Sequence, residues 1–91
     1  MFVLNQNLDI EELDDKIIII KKNEKGEIDF SQAVVLEDVA RMIFTEIKNA
    51  TPIEKILKEI VKEYNVENIQ AEKDLNDFIQ QLKDEEIIYD R

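Results

Sequence analysis

Residues 14–29 are DDKIIIIKKNEKGEID, and the four consecutive isoleucines at 17–20 decide how the first third of the chain folds. An amphipathic helix would not place four large apolar residues on one turn. A strand with one wet face would alternate apolar with polar residues. The run is also too short to span a membrane. It therefore predicts a strand whose two faces both meet apolar groups.

The segments on either side predict two more strands. Upstream, LDIEELD at 8–14 places Leu8 and Ile10 on one face of a strand. Downstream, the chain's only glycine, Gly26, fits a hairpin turn.

The segment EIDFSQAVVL then alternates with a period of two, which predicts a third strand within 27–36. Its apolar residues of one parity are Ile28, Phe30, Val34 and Leu36, with Gln32 interrupting. An alternative stays open here. Ser31 could cap an early helix, so that SQAVVLEDVARMIF forms one helix.

The rest of the chain has helical periodicity, which predicts helices over about 37–48, 52–64 and 69–84. In the second, Thr51 suits the N-cap, Pro52 the first helical position and Glu54 the third position of a capping box. Asn68 is a candidate cap for the third helix. We expect the apolar pair in the final EEIIYDR to dock on the helices.

These elements predict one α+β domain over 1–91, with a three-stranded antiparallel sheet followed by a three-helix bundle. The last two helices have the order of a helix-turn-helix. The would-be reading helix, however, carries more acidic than basic residues, and the net charge of the chain is −10. Duplex DNA binding is therefore disfavoured.

The composition also limits the chemistry that the chain can perform. It contains no histidine and no cysteine, which removes the usual general bases, thiol nucleophiles and zinc ligands. The only serine, Ser31, has no histidine to activate it. We expect no catalytic residue, cofactor or metal. The sequence has neither a signal-peptide pattern nor a membrane span, so we expect a cytoplasmic protein.

Lys55, Lys58 and Lys62 form a basic stripe on the second helix, best explained by helix-stabilising pairs with Glu54 and Glu59.

Three helical segments carry a resemblance to a known family. The segments VLEDVARMIFTEI, TPIEKILKEIVKEYNVE and AEKDLNDFIQQLKDEEII together resemble the PqqD-like family of precursor-peptide recognition elements. The matching positions are Ala40, Ile43, Phe44, Thr51, Pro52, Ile56, Tyr64, Asp74, Leu75, Phe78, Ile79 and Leu82.

The resemblance covers roughly residues 8–89 and has local departures. The family often has Leu-Asn before the first helix, Asp-Gly after it and Gly-Leu near the end. Here these are Leu36-Glu37, Lys48-Asn49 and Glu86-Ile87.

The resemblance implies a winged helix-turn-helix-like fold that binds peptides and catalyses nothing. Family members bind the leader segment of a ribosomally made precursor as an added strand, against the third strand and third helix. They present it to a maturation enzyme, which is a radical-SAM enzyme, a cyclase or a leader protease. A homodimer is a further option. On this basis the peptide-binding residues are predicted to be Ile28, Phe30, Gln32, Val34, Val35, Asp74, Phe78 and Gln81. The alternative is an acidic winged-helix module that binds a protein or regulates transcription.

Overall fold

The strands and helices follow the predicted order, with an additional short strand at each end of the chain. The computed structural model describes residues 2–22, 25–28 and 33–91. Within them the strands are β1 (Phe2–Leu4), β2 (Leu8–Leu13), β3 (Lys16–Lys21), β4 (Val34–Glu37) and β5 (Ile88–Asp90). The helices are α1 (Asp38–Lys48), α2 (Ile53–Tyr64) and α3 (Asn68–Asp84). The α+β class and the three-stranded antiparallel sheet are confirmed.

The isoleucine run forms β3, the middle strand of the sheet, whose order is β2–β3–β4. Ile17 and Ile19 are almost completely buried and belong to the main core with the helices. On the opposite face Ile20 is only 8% exposed and Ile18 is half-buried. The two-faced apolar strand predicted from the sequence is therefore present.

The connection from β3 to β4 contains the predicted turn. Lys22 pairs with Ile28 in an isolated antiparallel bridge, so the chain reverses between them. Gly26 lies in this reversal at φ +78, a conformation that glycine adopts without strain. The one-helix alternative for 31–44 is wrong, because Val34–Glu37 is a strand and α1 begins at Asp38. Ser31 itself lies outside the described residues.

The three helices bury the predicted apolar stripes against the sheet and against each other. The buried helical residues are Ile43, Phe44, Ile47, Ile56, Ile60, Ala71, Leu75, Ile79 and Leu82. Burying such an aliphatic side chain contributes about 1.5–3 kcal/mol. No helix in the part of the chain that the structure describes combines the length and the apolar character needed to span a membrane.

The predicted capping residues of α2 and α3 are wrong. Pro52, not Thr51, is the N-cap of α2, and no side chain caps this helix end. With ψ near 142°, Pro52 is still extended, and its carbonyl accepts the first N–H groups of the helix, from Lys55 and Ile56. At α3 the N-cap is Glu67, and Asn68 is already the first helical residue.

The two ends of the chain pair with each other in a small sheet that the sequence analysis did not predict. β1 and β5 are antiparallel, with Leu4 opposite Ile88. Ile87 and Ile88 are fully buried, as expected for a carboxyl-terminal segment docked on the helices. The Asn5 side chain donates to the Glu86 carbonyl at 2.9 Å, which ties the amino terminus to the end of α3.

Candidate functional site

The strand β4 lies at one edge of the three-stranded sheet. Within the described ranges it pairs with β3 alone, from Lys16 opposite Glu37 to Ile19 opposite Val34. An edge strand presents backbone N–H and C=O groups that a further strand can use. The other edge is β2, which lies on the far side of β3.

The hydrogen-bond alternation along β3 can be fixed from one contact. The Lys22 N–H donates to the Asn7 carbonyl at 3.0 Å, immediately outside the pair formed by Leu8 and Lys21. That pair is therefore of the non-hydrogen-bonded kind, and the two kinds alternate along an antiparallel ladder. Three residues earlier, the backbone of Ile18 consequently bonds to β2.

The same alternation decides which groups of β4 are free. Because Ile18 bonds to β2, the backbones of Ile17 and Ile19 face β4 and bond to their partners Leu36 and Val34. The N–H and C=O of Val35 then point outward from the sheet. Val35 is also exposed in its side chain, at 51%, whereas Leu36 is buried in the core.

An apolar pocket of about 360 Å³ opens close to the end of β4. It lies between the beginning of α1, the second half of α2 and the middle of α3. Its lining residues are Val39, Ala40, Ile43, Ile60, Tyr64, Val66, Asp74 and Phe78. Val39 is the second residue after β4 ends, so the chain passes from the edge strand into the pocket lining.

Asp74 and Phe78 are the lining residues that α3 contributes. They lie one helical turn apart, which places both side chains on the same flank of the helix. Phe78 is half-buried and packs against the core. Asp74 is exposed, and its Oδ1 atom accepts a hydrogen bond of 2.8 Å from Gln70 Nε2. The pocket therefore has an aromatic wall with a carboxylate at its rim.

A family model described as coenzyme PQQ synthesis protein D (PqqD) matches residues 9–88. The chain belongs to the PqqD family. The match includes β2, β3, β4 and all three helices, and thus both the open edge and the pocket. A comparison with curated proteins finds no match.

Two solved structures share the fold over nearly the whole length of both chains. TbiB1 in complex with the TbiA(beta) leader peptide has 22% sequence identity and a TM-score of 0.79, covering 97% of this chain and 98% of that one. Lasso peptide synthetase B1 complexed with the leader peptide has 20% identity and a TM-score of 0.80, covering 98% of each chain. This PqqD-family chain therefore has the same fold as two proteins solved with leader peptides.

The structure brings together only part of the predicted peptide-binding set. Asp74 and Phe78 line the pocket, and Val34 and Val35 lie in the edge strand. Gln81 is exposed on the same flank of α3, two turns beyond Asp74, but does not line the pocket. Ile28 is exposed and pairs with Lys22 outside the named strands, while Phe30 and Gln32 lie outside the described residues.

Several pocket residues were not among the predicted site residues, although most belong to predicted apolar stripes. The helical spacing of the sequence places Val39 or Ala40 on the apolar stripe of the first helix, and Tyr64 at the end of the apolar stripe of the second. The structure leaves the ends of these stripes open, because Val39, Ala40 and Val66 are half-buried and Tyr64 is 40% exposed. The periodicity of the sequence identifies an apolar stripe, but it does not show how much of that stripe is buried by the neighbouring elements.

Proposed function

We propose that this chain binds the leader segment of a ribosomally synthesised precursor peptide by β-strand addition to β4. The observation that carries the proposal is the outward-facing backbone of Val35, on an edge strand that continues into the pocket residue Val39. Backbone hydrogen bonds would supply affinity and register, and the pocket would supply specificity. Membership of the PqqD family and the fold shared with two leader-peptide complexes support this function.

The second open edge, β2, is less suited to a peptide. Its exposed residues Glu11 and Glu12 are acidic, and charged side chains protect an edge from strand addition. Glu12 also forms an ion pair of 3.1 Å with Lys48 of α1. The cavity next to this edge is polar and is lined by Glu12, Leu13, Asp14, Ile17, Arg41 and Thr45. β4 therefore offers the better combination of free backbone and apolar surface.

The residues proposed to contact the leader extend from the strand edge to α3. They are Ile28, Phe30, Gln32, Val34, Val35, Asp74, Phe78 and Gln81, to which the pocket adds Val39, Tyr64 and Val66. Val35 would bond to the leader backbone, Phe78 would form the pocket wall, and Asp74 and Gln81 would form its polar rim.

We infer that the chain acts as a non-enzymatic adaptor for a maturation enzyme. A chain without histidine or cysteine lacks the commonest general base and the thiol nucleophile. A radical-SAM enzyme, a cyclase or a leader protease would supply the reaction, while this chain holds the leader. The outer face of the sheet is the proposed docking surface for that enzyme, or for a second copy of the chain, because Leu13 and Val35 are exposed there.

The proposal is tested by titrating the chain with the leader of a precursor peptide identified in its gene neighbourhood, followed by amide NMR shifts. A scrambled peptide of the same composition is the control. We expect saturable binding of the true leader alone, with shifts clustered in 27–36 and 70–82. Absence of binding contradicts the function. Shifts confined to Lys55, Lys58 and Lys62 of α2 contradict the proposed site.

A further inference from the structure

We propose that the pocket selects leaders in which a large apolar residue lies next to a basic one. The apolar side chain enters the pocket, and the basic side chain binds the carboxylate of Asp74. The inference rests on the proposed function and specifies which leader sequences the site accepts.

The lining of the pocket calls for a large apolar anchor. Of the eight described residues that line it, seven are hydrophobic, and two of these are the aromatic residues Tyr64 and Phe78. Aromatic walls bury large apolar or aromatic side chains with favourable ring contacts. An acidic or strongly hydrated side chain would lose its water there without gaining a partner.

Asp74 is the one charged residue among the described lining residues, and its charge is available to a ligand. Its hydrogen-bond partner, Gln70, is neutral, and no ion pair to Asp74 occurs in the part of the chain that the structure describes. The preceding residue, Lys73, pairs with Asp77 instead, at 3.3 Å. A basic residue of the leader would therefore find a carboxylate that still lacks a cation.

The charges around the route to the pocket favour the same ligand. Glu37 and Asp38 are exposed where β4 passes into α1, immediately before Val39. Arg41, the nearest basic residue along α1, lines the separate polar cavity with Glu12 and Asp14. With a net charge of −10, the surface repels acidic peptides and attracts basic ones.

A charge-neutralisation scan of the leader, combined with Asp74→Asn, tests the inference. The probes are the leader used in the titration above, made synthetically, and variants in which each Lys or Arg is replaced by Gln and each large apolar residue by Ala. Affinities are measured by calorimetry with the wild-type chain and with Asp74→Asn. Glu72→Gln is the matched control, because Glu72 is an exposed carboxylate on α3 that lies outside the pocket and has no ion pair among the described residues.

We expect leader affinity to depend on one basic residue of the leader. That residue should lie next to the large apolar leader residue whose replacement by Ala weakens binding most. Its neutralisation should weaken binding to the wild-type chain about three- to tenfold, the range for a partly screened charged hydrogen bond. Neutralising the same leader residue should have no effect on binding to Asp74→Asn and the full effect on binding to Glu72→Gln. The loss of affinity caused by neutralising this residue should become smaller in about 0.5 M salt, which screens the charges.

The outcomes separate this inference from the proposed function. If the leader binds but no neutralisation weakens it, or if the loss persists on Asp74→Asn, the basic-residue selection is wrong and leader binding stands. If Glu72→Gln abolishes the charge preference as well, a general surface field acts rather than Asp74, and the inference is again wrong. A leader that fails to bind the wild-type chain overturns both.

Discussion

Val35 lies directly opposite Ile18 in the β3–β4 ladder, and both side chains are on the sheet face turned away from the helices. The backbone of Val35 faces the open edge, whereas that of Ile18 bonds to β2. A leader strand added at Val35 would therefore extend the face that carries Ile18. We expect leader binding and enzyme docking to share this surface.

Proline substitutions in β4 should separate binding from folding. Val35→Pro removes an N–H that faces the open edge, which an edge strand tolerates, so the melting temperature should change little. Leader affinity should fall at least about fivefold, because one ladder hydrogen bond is lost and its acceptor is left unpaired. Val34→Pro removes an N–H that bonds to β3 and should lower the melting temperature markedly. Calorimetry and thermal melts measure both effects.

Val35→Ala is the control for this comparison. It shortens the same exposed side chain but keeps the N–H, so leader affinity should stay near the wild-type value. Wild-type affinity in Val35→Pro would show that the leader does not add to this edge. Equal destabilisation by the two prolines would show that the alternation assigned to β4 is wrong.

Paired threonine substitutions in the isoleucine run should distinguish its two faces. Ile17→Thr with Ile19→Thr removes methyl groups and places hydroxyls in the main core. Each change should cost about 1–4 kcal/mol of unfolding free energy. Ile18→Thr with Ile20→Thr should cost less, since Ile18 is half-buried and neither residue belongs to the main core. Chemical denaturation measures both double variants.

The double variant Ile18→Thr with Ile20→Thr also tests whether the outer face of the sheet binds the maturation enzyme. If the enzyme binds there, Ile18→Thr with Ile20→Thr should retain leader affinity but lose modification of the precursor by the enzyme. Losses of stability as large as those of the Ile17 and Ile19 pair would mean that both faces are internal core. The outer face would then not be a docking surface.

Sequence patterns were sufficient wherever a local signal determined the structure. Four isoleucines of high β propensity predicted the central strand. Periodic apolar residues predicted three helices, each of whose ends lies within one residue of the observed end. The pairing of β1 with β5 was missed because it joins Leu4 to Ile88 across almost the whole chain. Three-residue strands have no periodicity long enough to recognise.

The candidate site could be predicted only in outline. The edge position of the third strand and the polar flank at Asp74 followed from resemblance and helical geometry. The pocket depends on how far three helix ends separate, which is a property of tertiary packing. Val66 lies in the break after α2, where no periodic signal identifies a lining residue.

A glycine at position 86 should stabilise the carboxyl-terminal end of α3. Glu86 has φ +59, and the N–H groups of Glu86 and Ile87 bond back to the carbonyls of Lys83 and Leu82, as in a Schellman motif. A side chain in this left-handed conformation costs about 1 kcal/mol relative to glycine. Glu86→Gly should therefore raise the melting temperature by about 4–8 °C. Glu86→Ala, which keeps the Cβ atom, should give little of this gain.

The chain should not retain duplex DNA in a gel-shift assay at low salt. The two lysines of α3 are already engaged within the protein, Lys73 with Asp77 at 3.3 Å and Lys83 with Asp90 at 3.0 Å. The net charge of −10 adds repulsion from the phosphate backbone. Sequence-specific retention at micromolar protein would instead support the transcription-regulatory alternative.

Tyr64 should be an anchor of the leader, and it allows a cleaner test than Phe78. Phe78 packs against the core, so its truncation would reduce stability and affinity together. Tyr64 lines the same pocket but is 40% exposed, so Tyr64→Ala should lower the melting temperature only slightly. Leader affinity should fall about tenfold as an aromatic wall of the pocket is lost. Ile69→Ala is the matched control, because Ile69 is 80% exposed and lies outside the pocket. Equal effects of the two substitutions on leader affinity, measured by calorimetry, would show that the pocket does not hold the leader.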